Sequence, residues 1–259
     1  MPSVRTLRHC IIAALGTAVI IGCAGASAEP HFANFERDVP TATPIKHLVV
    51  IYQENVSFDH YFATYPSALN TDGEPAFHAR PHIPSVNNLV SANLLTGNPN
   101  DTNAANGAGA ADPFRLDRTQ AASADQGHNY TPEQEANNNG AADLFPEFTG
   151  NGTAGGAGAF GTKGQVMGYY DGNTVTAMWT YAQNFAMNDN SYSDTYGPST
   201  PGALEAVSGQ TNGLQLLASS RSSYYVADGQ GGKTLIGDVD PGSDICSSAT
   251  DQGQLQAKN

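Results

Sequence analysis

The sequence predicts an α/β fold of one or two domains, and three observations carry that expectation. Residues 45–51, IKHLVVI, are a compact β-branched run bounded by turn formers, the pattern of a strand buried on both faces of a parallel sheet. In NTVTAMWTYAQNFAM, residues 173–187, the apolar side chains Val175, Met178, Trp179, Ala182 and Phe185 keep a 3.6-residue period, which predicts an amphipathic helix with the sole Trp in the core. The 259 residues are 39% hydrophobic, enough to bury a core, but only 14% charged and rich in Gly, so long uncharged loops are expected between the elements.

At the N-terminus, Arg5 and Arg8 precede an apolar stretch over residues 11–21 and an Ala26-Ser27-Ala28 cleavage pattern, which predicts an export signal over residues 1–28. Ile20-Ile21-Gly22-Cys23 also resembles a bacterial lipobox. Two outcomes therefore stay open: a periplasmic or secreted product cut after Ala28, or a lipoprotein acylated at Cys23. Removing residues 1–28 takes away two Arg and no acid, so the formal charge of −13 becomes more negative still. A polyanion would be repelled, and no nucleic-acid partner is expected. With Cys10 and Cys23 in the signal, Cys246 is left as an odd thiol in an oxidising compartment, calling for an intermolecular bond, a reactive role or a missing partner.

The other elements follow in chain order. Residues 29–44 form a linker, ending in the Pro40 to Pro44 lead-in, and the strand over residues 45–51 should end near Gln53. Residues 56–62 read as a short helix or turn whose Phe58, Tyr61 and Phe62 pack under the sheet. Residues 63–127 lack periodicity, and 96–113 approach low complexity, so that stretch is read as a flexible loop. YTPEQ then supplies a helix start with Thr131 as N-cap, Pro132 in the first turn and Gln134 completing a capping box, just after His128. Glycine-rich residues 150–165 form a second flexible loop. Gly197-Pro198 breaks the helical pattern, and Ser199 restarts it as an N-cap, with Pro201 in the first turn and Leu204 and Val207 on one face. Residues 233–240 form a late strand, and residues 247–259 a polar, unstructured tail.

Three places carry potential chemistry. Glu54 and Asn55 stand at the C-terminal edge of the expected parallel strand, where open α/β sheets bind ligands; a carboxylate beside an amide oxygen suits a divalent cation held next to a phosphate. Asn55 would equally serve as the cap of the next helix. Ser199 at a helix N-terminus would meet free N–H groups and the positive end of the dipole, which favours a phosphate and an attacking alkoxide. An ordinary capping Ser looks the same. His128 would donate to a phosphoryl oxygen or protonate a leaving group, or be a surface-loop His. His47 and His60 read as structural. The sequence has no Walker A loop, no G-x-G-x-x-G after a strand, no H-E-x-x-H and no zinc-type Cys pair, and GPSTPG is not G-x-S-x-G.

Together, IKHLVVIYQENVSFDHYF, DQGHNYTPEQ and NFAMNDNSYSDTYGPSTPGALEAVSGQTNG closely resemble the bacterial phosphoesterase family that contains the phosphatidylcholine-type phospholipases C and the exported acid phosphatases. That family lies within the alkaline-phosphatase-like superfamily. GYYDGNTVTAMWTYAQNFAM and the Ser of GPSTPG are closer to the acid phosphatase branch. The resemblance implies a mostly parallel sheet flanked by helices, with residues 45–246 as the N-terminal part of the phosphoesterase domain. It implies that Glu54, Asn55 and Ser199 ligate a divalent metal ion, that Ser199 is the nucleophile, and that His128 contacts the substrate phosphate. The implied substrate is a phosphate ester, either a monoester or a phospholipid head group. A membrane would be a partner only through such a lipid or through acylated Cys23.

In the family a C-terminal half supplies an Asp-Asp pair that completes the metal site, and further His residues. After Cys246 this sequence has only Asp251 as an acid and no His. The expectation is a truncated, incomplete sheet, a chain weakly active or inactive alone, and a separately encoded C-terminal half as a possible partner that would also hold the disulfide partner of Cys246. The alternative expectation is a noncatalytic exported α/β interaction module, or a remnant of such an enzyme.

Overall fold

A computed structural model describes residues 42–52, 54–193, 195–211, 214–216, 224–227, 233–238 and 255–257. The chain divides into two units, residues 1–51 and 52–259. The export signal, the Cys23 lipobox, Gln53, Cys246 and Asp251 lie outside the described residues.

In the first unit, the expected strand over residues 45–51 is not formed. The run belongs to no sheet, and Leu48, Val49 and Ile51 are 80–87% exposed. A strand that is apolar on both faces needs neighbours on both edges and a layer on each side. No described strand pairs with it, so the high β-propensity of its residues goes unused.

The second unit mixes helices with small sheets, so the α/β expectation holds in its broad sense. Helix α1 (Phe58–Phe62) starts because the Ser57 hydroxyl accepts the His60 N–H at 3.3 Å. It is the short helix expected there. Its aromatics divide between two cores. Phe62 packs on Tyr65, Phe77 and Trp179, and Tyr61 packs on Leu116, Phe160 and Tyr170. Helix α5 (Thr176–Asn184) follows the expected period, and Trp179 is fully buried. Its indole N–H donates to the Tyr61 carbonyl at 2.6 Å, and its ring meets Tyr65 and Phe77 edge-on at 5.2 and 5.1 Å. Phe185 departs from the expectation: it is the C-cap residue, with extended backbone, and is exposed.

Among the described residues the sheets are two-stranded. Strand β1 (Phe114–Arg115) pairs in parallel with β2 (Gly168–Tyr169), the only parallel pair among the described residues. Strand β3 (Leu214–Leu216) pairs antiparallel with β6 (Leu255–Ala257), and β4 (Tyr225–Ala227) with β5 (Lys233–Leu235). The late strand at residues 233–240 is therefore present in its first three residues. The tail expected to be unstructured contributes β6, because an antiparallel ladder needs only backbone amides and tolerates the polar sequence around it.

The stretch over residues 96–113 is built rather than looped. It contains α2 (Pro99–Thr102) and a 3₁₀ segment, Ala104–Gly109, and buries Asn98, Asn100 and Asn106. Asn106 donates to the Asn100 and Asp143 carbonyls at 2.8 Å and accepts from the Glu147 N–H, so its buried amide is fully used. Hydrophobic periodicity cannot reveal an element held by amides. Residues 150–165, also expected as a loop, carry the 3₁₀ segment Gly158–Gly161 and the start of another, Lys163–Met167.

A charged clasp binds these layers. The buried Asp171 accepts from Arg115 Nε at 2.8 Å and Nη2 at 3.2 Å, from the Leu69 N–H at 2.8 Å and from the Asn173 N–H at 3.0 Å, while Arg115 also pairs with Glu74. The Asp171 carbonyl also accepts the N–H groups of Thr174 and Val175, closing the turn that leads into α5.

Candidate active site around Ser199

Helix α6 (Ser199–Ser208) begins one residue earlier than expected. Its N-cap is Pro198, which has no side-chain acceptor, and Ser199 is the first helical residue. Ser199 is therefore not the cap. Its hydroxyl is free to point outward and donates to Glu54 Oε1 at 2.8 Å, across 145 residues of sequence. The helix ends as Gly209 enters the left-handed region at φ +70°.

The capping alternative for Asn55 is likewise removed, since Ser57 caps α1. Glu54 and Asn55 are both exposed and precede that cap without belonging to the helix. Glu54 and Ser199 are thus brought together, with Asn55 adjacent in the chain.

Next to Ser199, Thr200 gives both its N–H (3.1 Å) and its hydroxyl (2.6 Å) to Asp238 Oδ1. Asp238, from just beyond β5, accepts an N–H of the first turn of α6 and sets a negative charge at the positive end of the dipole. Sequence reasoning did not select Asp238. Nothing in KTLIGDVD marks it except its position after a strand.

His128 is held by its own loop. Its Nδ1 lies 2.9 Å from the Gln126 carbonyl and 3.9 Å from Asp125 Oδ1. The loop is pinned by Gly127 N–H to the Thr149 carbonyl at 2.7 Å and by the Gln126 amide, which bonds the backbone of Ala124 and Asn151. Helix α3 (Tyr130–Asn137) follows, with Asn129 as N-cap. The capping box expected from Thr131 and Gln134 is not formed: Thr131 is already inside the helix, and no side chain caps it.

Among the described residues His128 makes no hydrogen bond to Ser199 or Glu54. The helix that follows His128 reaches the Ser199 segment through Glu133, which sequence reasoning also passed over. Glu133 Oε2 accepts the Gly197 N–H at 2.6 Å, two residues before Ser199. Burial pushes the Glu133 carboxyl up from its usual range, against the opposing pull of the Gly197 hydrogen bond and of His128. A first-turn acid within DQGHNYTPEQ was the available signal, but it reads as a helix-dipole partner, not a cross-link.

The donors here are hard oxygens. Glu54 offers a carboxylate and Ser199 a hydroxyl 2.8 Å away, a set that fits a divalent cation in kind. Among the described residues no three His, Cys, Asp or Glu side chains gather as a metal cluster. The arrangement can hold a hydroxyl proton against a carboxylate at the N-terminus of a ten-residue helix.

Comparison with curated proteins gives no match. The Phosphoesterase family profile, by contrast, matches residues 45–253, a span that takes in Glu54, His128, Glu133, Ser199 and Asp238. The chain belongs to the phosphoesterase family.

Proposed function

We propose that this chain hydrolyses phosphoric esters with Ser199 as nucleophile, in the manner of the exported acid phosphatases and phospholipases C. Family membership makes phosphoric ester hydrolysis the class of chemistry. The observation that carries the finer reading is the 2.8 Å bond from the Ser199 hydroxyl to Glu54 Oε1. It joins two residues far apart in sequence, and neither serves as a helix cap.

The chain's own residues act as follows. The Ser199 proton points at the Glu54 carboxylate, so the oxygen lone pairs are left to face phosphorus. In the first turn of α6 the Thr200 N–H is held by Asp238 and Pro201 has no N–H, so the Ser199 N–H is the one offered to the entering phosphate. Asp238 keeps that turn in place by holding Thr200. His128, oriented through Nδ1, has Nε2 left for a phosphoryl or leaving-group oxygen. Glu54, Asn55 and Ser199 would hold a divalent cation, which when bound supplies charge neutralisation at a phosphoryl oxygen and favours the Ser199 alkoxide. The alkaline-phosphatase-like superfamily is the proposed fold assignment. The Arg5, Arg8 and Ala26-Ser27-Ala28 pattern supports export, with acylation at Cys23 as the variant outcome.

A second reading is a module that binds without turnover. Among the described residues, it is favoured by Glu54 being the one carboxylate bonded to Ser199 and by the lack of a three-residue metal cluster. Two assays on the full chain separate the readings. The first is phosphate release from p-nitrophenyl phosphate, and phosphocholine release from phosphatidylcholine vesicles, each with added Mg²⁺, Mn²⁺ or Ca²⁺. The second is calorimetry with the same cations. Release reduced at least about 100-fold by Ser199→Ala supports the enzyme, since loss of a nucleophile removes a covalent route worth several orders of magnitude. The preferred ester then decides between monoester and lipid. Equal release by wild type and Ser199→Ala overturns it, and cation binding lost in Glu54→Ala without any release supports the second reading.

A further inference from the structure

We infer that Glu133 is a positioning residue for Ser199, tying the His128 segment to the loop that delivers the nucleophile. The inference rests on the reading of Ser199 given above and adds a residue that this reading does not require. Three contacts join the two segments. Glu133 Oε2 accepts the Gly197 N–H at 2.6 Å. The Tyr130 and Tyr196 rings meet edge-on at 6.1 Å. Gly197 itself lies against the backbone of Tyr130, and a Cβ there would collide with Tyr130 N and Cα.

Gly197 adopts φ +53°, in the left-handed region that glycine tolerates, so no other residue allows this approach without strain. Between it and Ser199 stands only Pro198, buried and fixed at φ −72°. The Gly197-Pro198-Ser199 link is therefore short and stiff. Wherever Glu133 holds the Gly197 amide, Ser199 Oγ follows.

Nor is Glu133 spent on its own helix. A first-turn acid normally faces the free N–H groups of its own helix, yet here the carboxylate reaches across to another segment and lies half-buried. Holding a carboxylate away from water costs free energy unless a donor meets it, and the Gly197 amide is that donor. The geometry turns two separate motifs into one unit.

The experiment uses the full chain with Glu133→Ala, which removes the acceptor, and Glu133→Gln, which keeps a side-chain carbonyl at the same reach. Amide exchange at Gly197, followed by NMR, reads the tether without any turnover. A hydrogen bond to a charged group protects its donor by roughly 10- to 100-fold, so Glu133→Ala should speed exchange by that factor and Glu133→Gln by much less. With p-nitrophenyl phosphate, Glu133→Ala should lower kcat by about 10- to 100-fold, the cost of a nucleophile displaced by up to an ångström, and leave KM within about twofold, while Glu133→Gln restores most of kcat. Thermal melting of both variants checks folding. If exchange at Gly197 is unchanged in Glu133→Ala, the tether does not exist and the inference falls. Faster exchange with kcat unchanged refutes the positioning role. Faster exchange in a protein whose wild type shows no Ser199-dependent release refutes the reading of Ser199 instead, and the positioning role with it.

Discussion

Replacing Asp171 by Ala attacks the clasp that joins the residue 69–77 segment, β1 and the start of α5. Asp171 meets four donors: Arg115 Nε and Nη2 and the N–H groups of Leu69 and Asn173. Its side chain is 2% exposed and that of Arg115 15%, so water cannot easily replace what is removed. Removing one partner of a buried pair costs about 3–5 kcal/mol. Two features pull the value toward the lower end. Arg115 keeps Glu74, and Leu69 is exposed, so its N–H can turn to solvent. The N–H of the buried Asn173 has no such escape and adds to the loss. A loss of about 3 kcal/mol follows, which at an m-value of about 2 kcal/mol/M moves the urea midpoint down by roughly 1.5 M. Urea unfolding followed by circular dichroism, with Asp171→Asn as the shape-preserving comparison, measures it. A loss below about 1 kcal/mol in Asp171→Ala would show that the clasp is no stronger than a surface ion pair and refute the reasoning.

Two further outcomes follow from buried groups. Trp179→Phe removes the indole donor to the Tyr61 carbonyl and shrinks a fully buried side chain. It should cost about 2–3 kcal/mol, read as a lower midpoint in thermal melting, and an unchanged midpoint would deny Trp179 its central place. Burial raises the Asp59 carboxyl above its ordinary 3.8, and its Oδ1 has no hydrogen-bond partner. The native state therefore favours the protonated form. Stability is fully present below about pH 3.8 and declines as pH rises through the folded value. Asp59→Asn, neutral throughout, should raise Tm at pH 7 and leave it unchanged at pH 3, and a gain of equal size at both pH values would show that charge is not the cause.

How much of this was legible in the sequence depended on what kind of force held each part. Trp179 and α5 followed from a 3.6 period because apolar burial leaves a periodic trace. The helix over residues 56–62 was readable for the same reason. Residues 45–51 misled, since β-propensity specifies a strand only when partners are supplied by the rest of the fold. The amide-built stretch around Asn98, Asn100 and Asn106 left no apolar trace and was read as a loop. At the site, residue types and resemblance selected Glu54, Ser199 and His128, but could not separate a cap from a nucleophile. The capping role falls away by a single residue of helix register, with Pro198 rather than Ser199 at the boundary. Glu133 and Asp238 stayed hidden because each acts on a backbone amide far away in sequence, and a backbone amide carries no signature in the residue it belongs to.

The buried polar residues have a consequence for the surroundings the protein can tolerate. Of those described, Asn88, Asn98, Asn100, Asn106, Gln165 and Asn173 are amides, Thr149 is a hydroxyl, and Asp171 alone is an acid. Amides neither gain nor lose a proton in water near neutrality or in moderate acid. The hydrogen-bonded frame therefore keeps its donors and acceptors unchanged while the outside medium acidifies. In acid as at neutrality, Asn100 and Asn106 keep the same bonds to one another, to Asn98 and to the backbone of residues 142–147, because none of those partners takes up a proton.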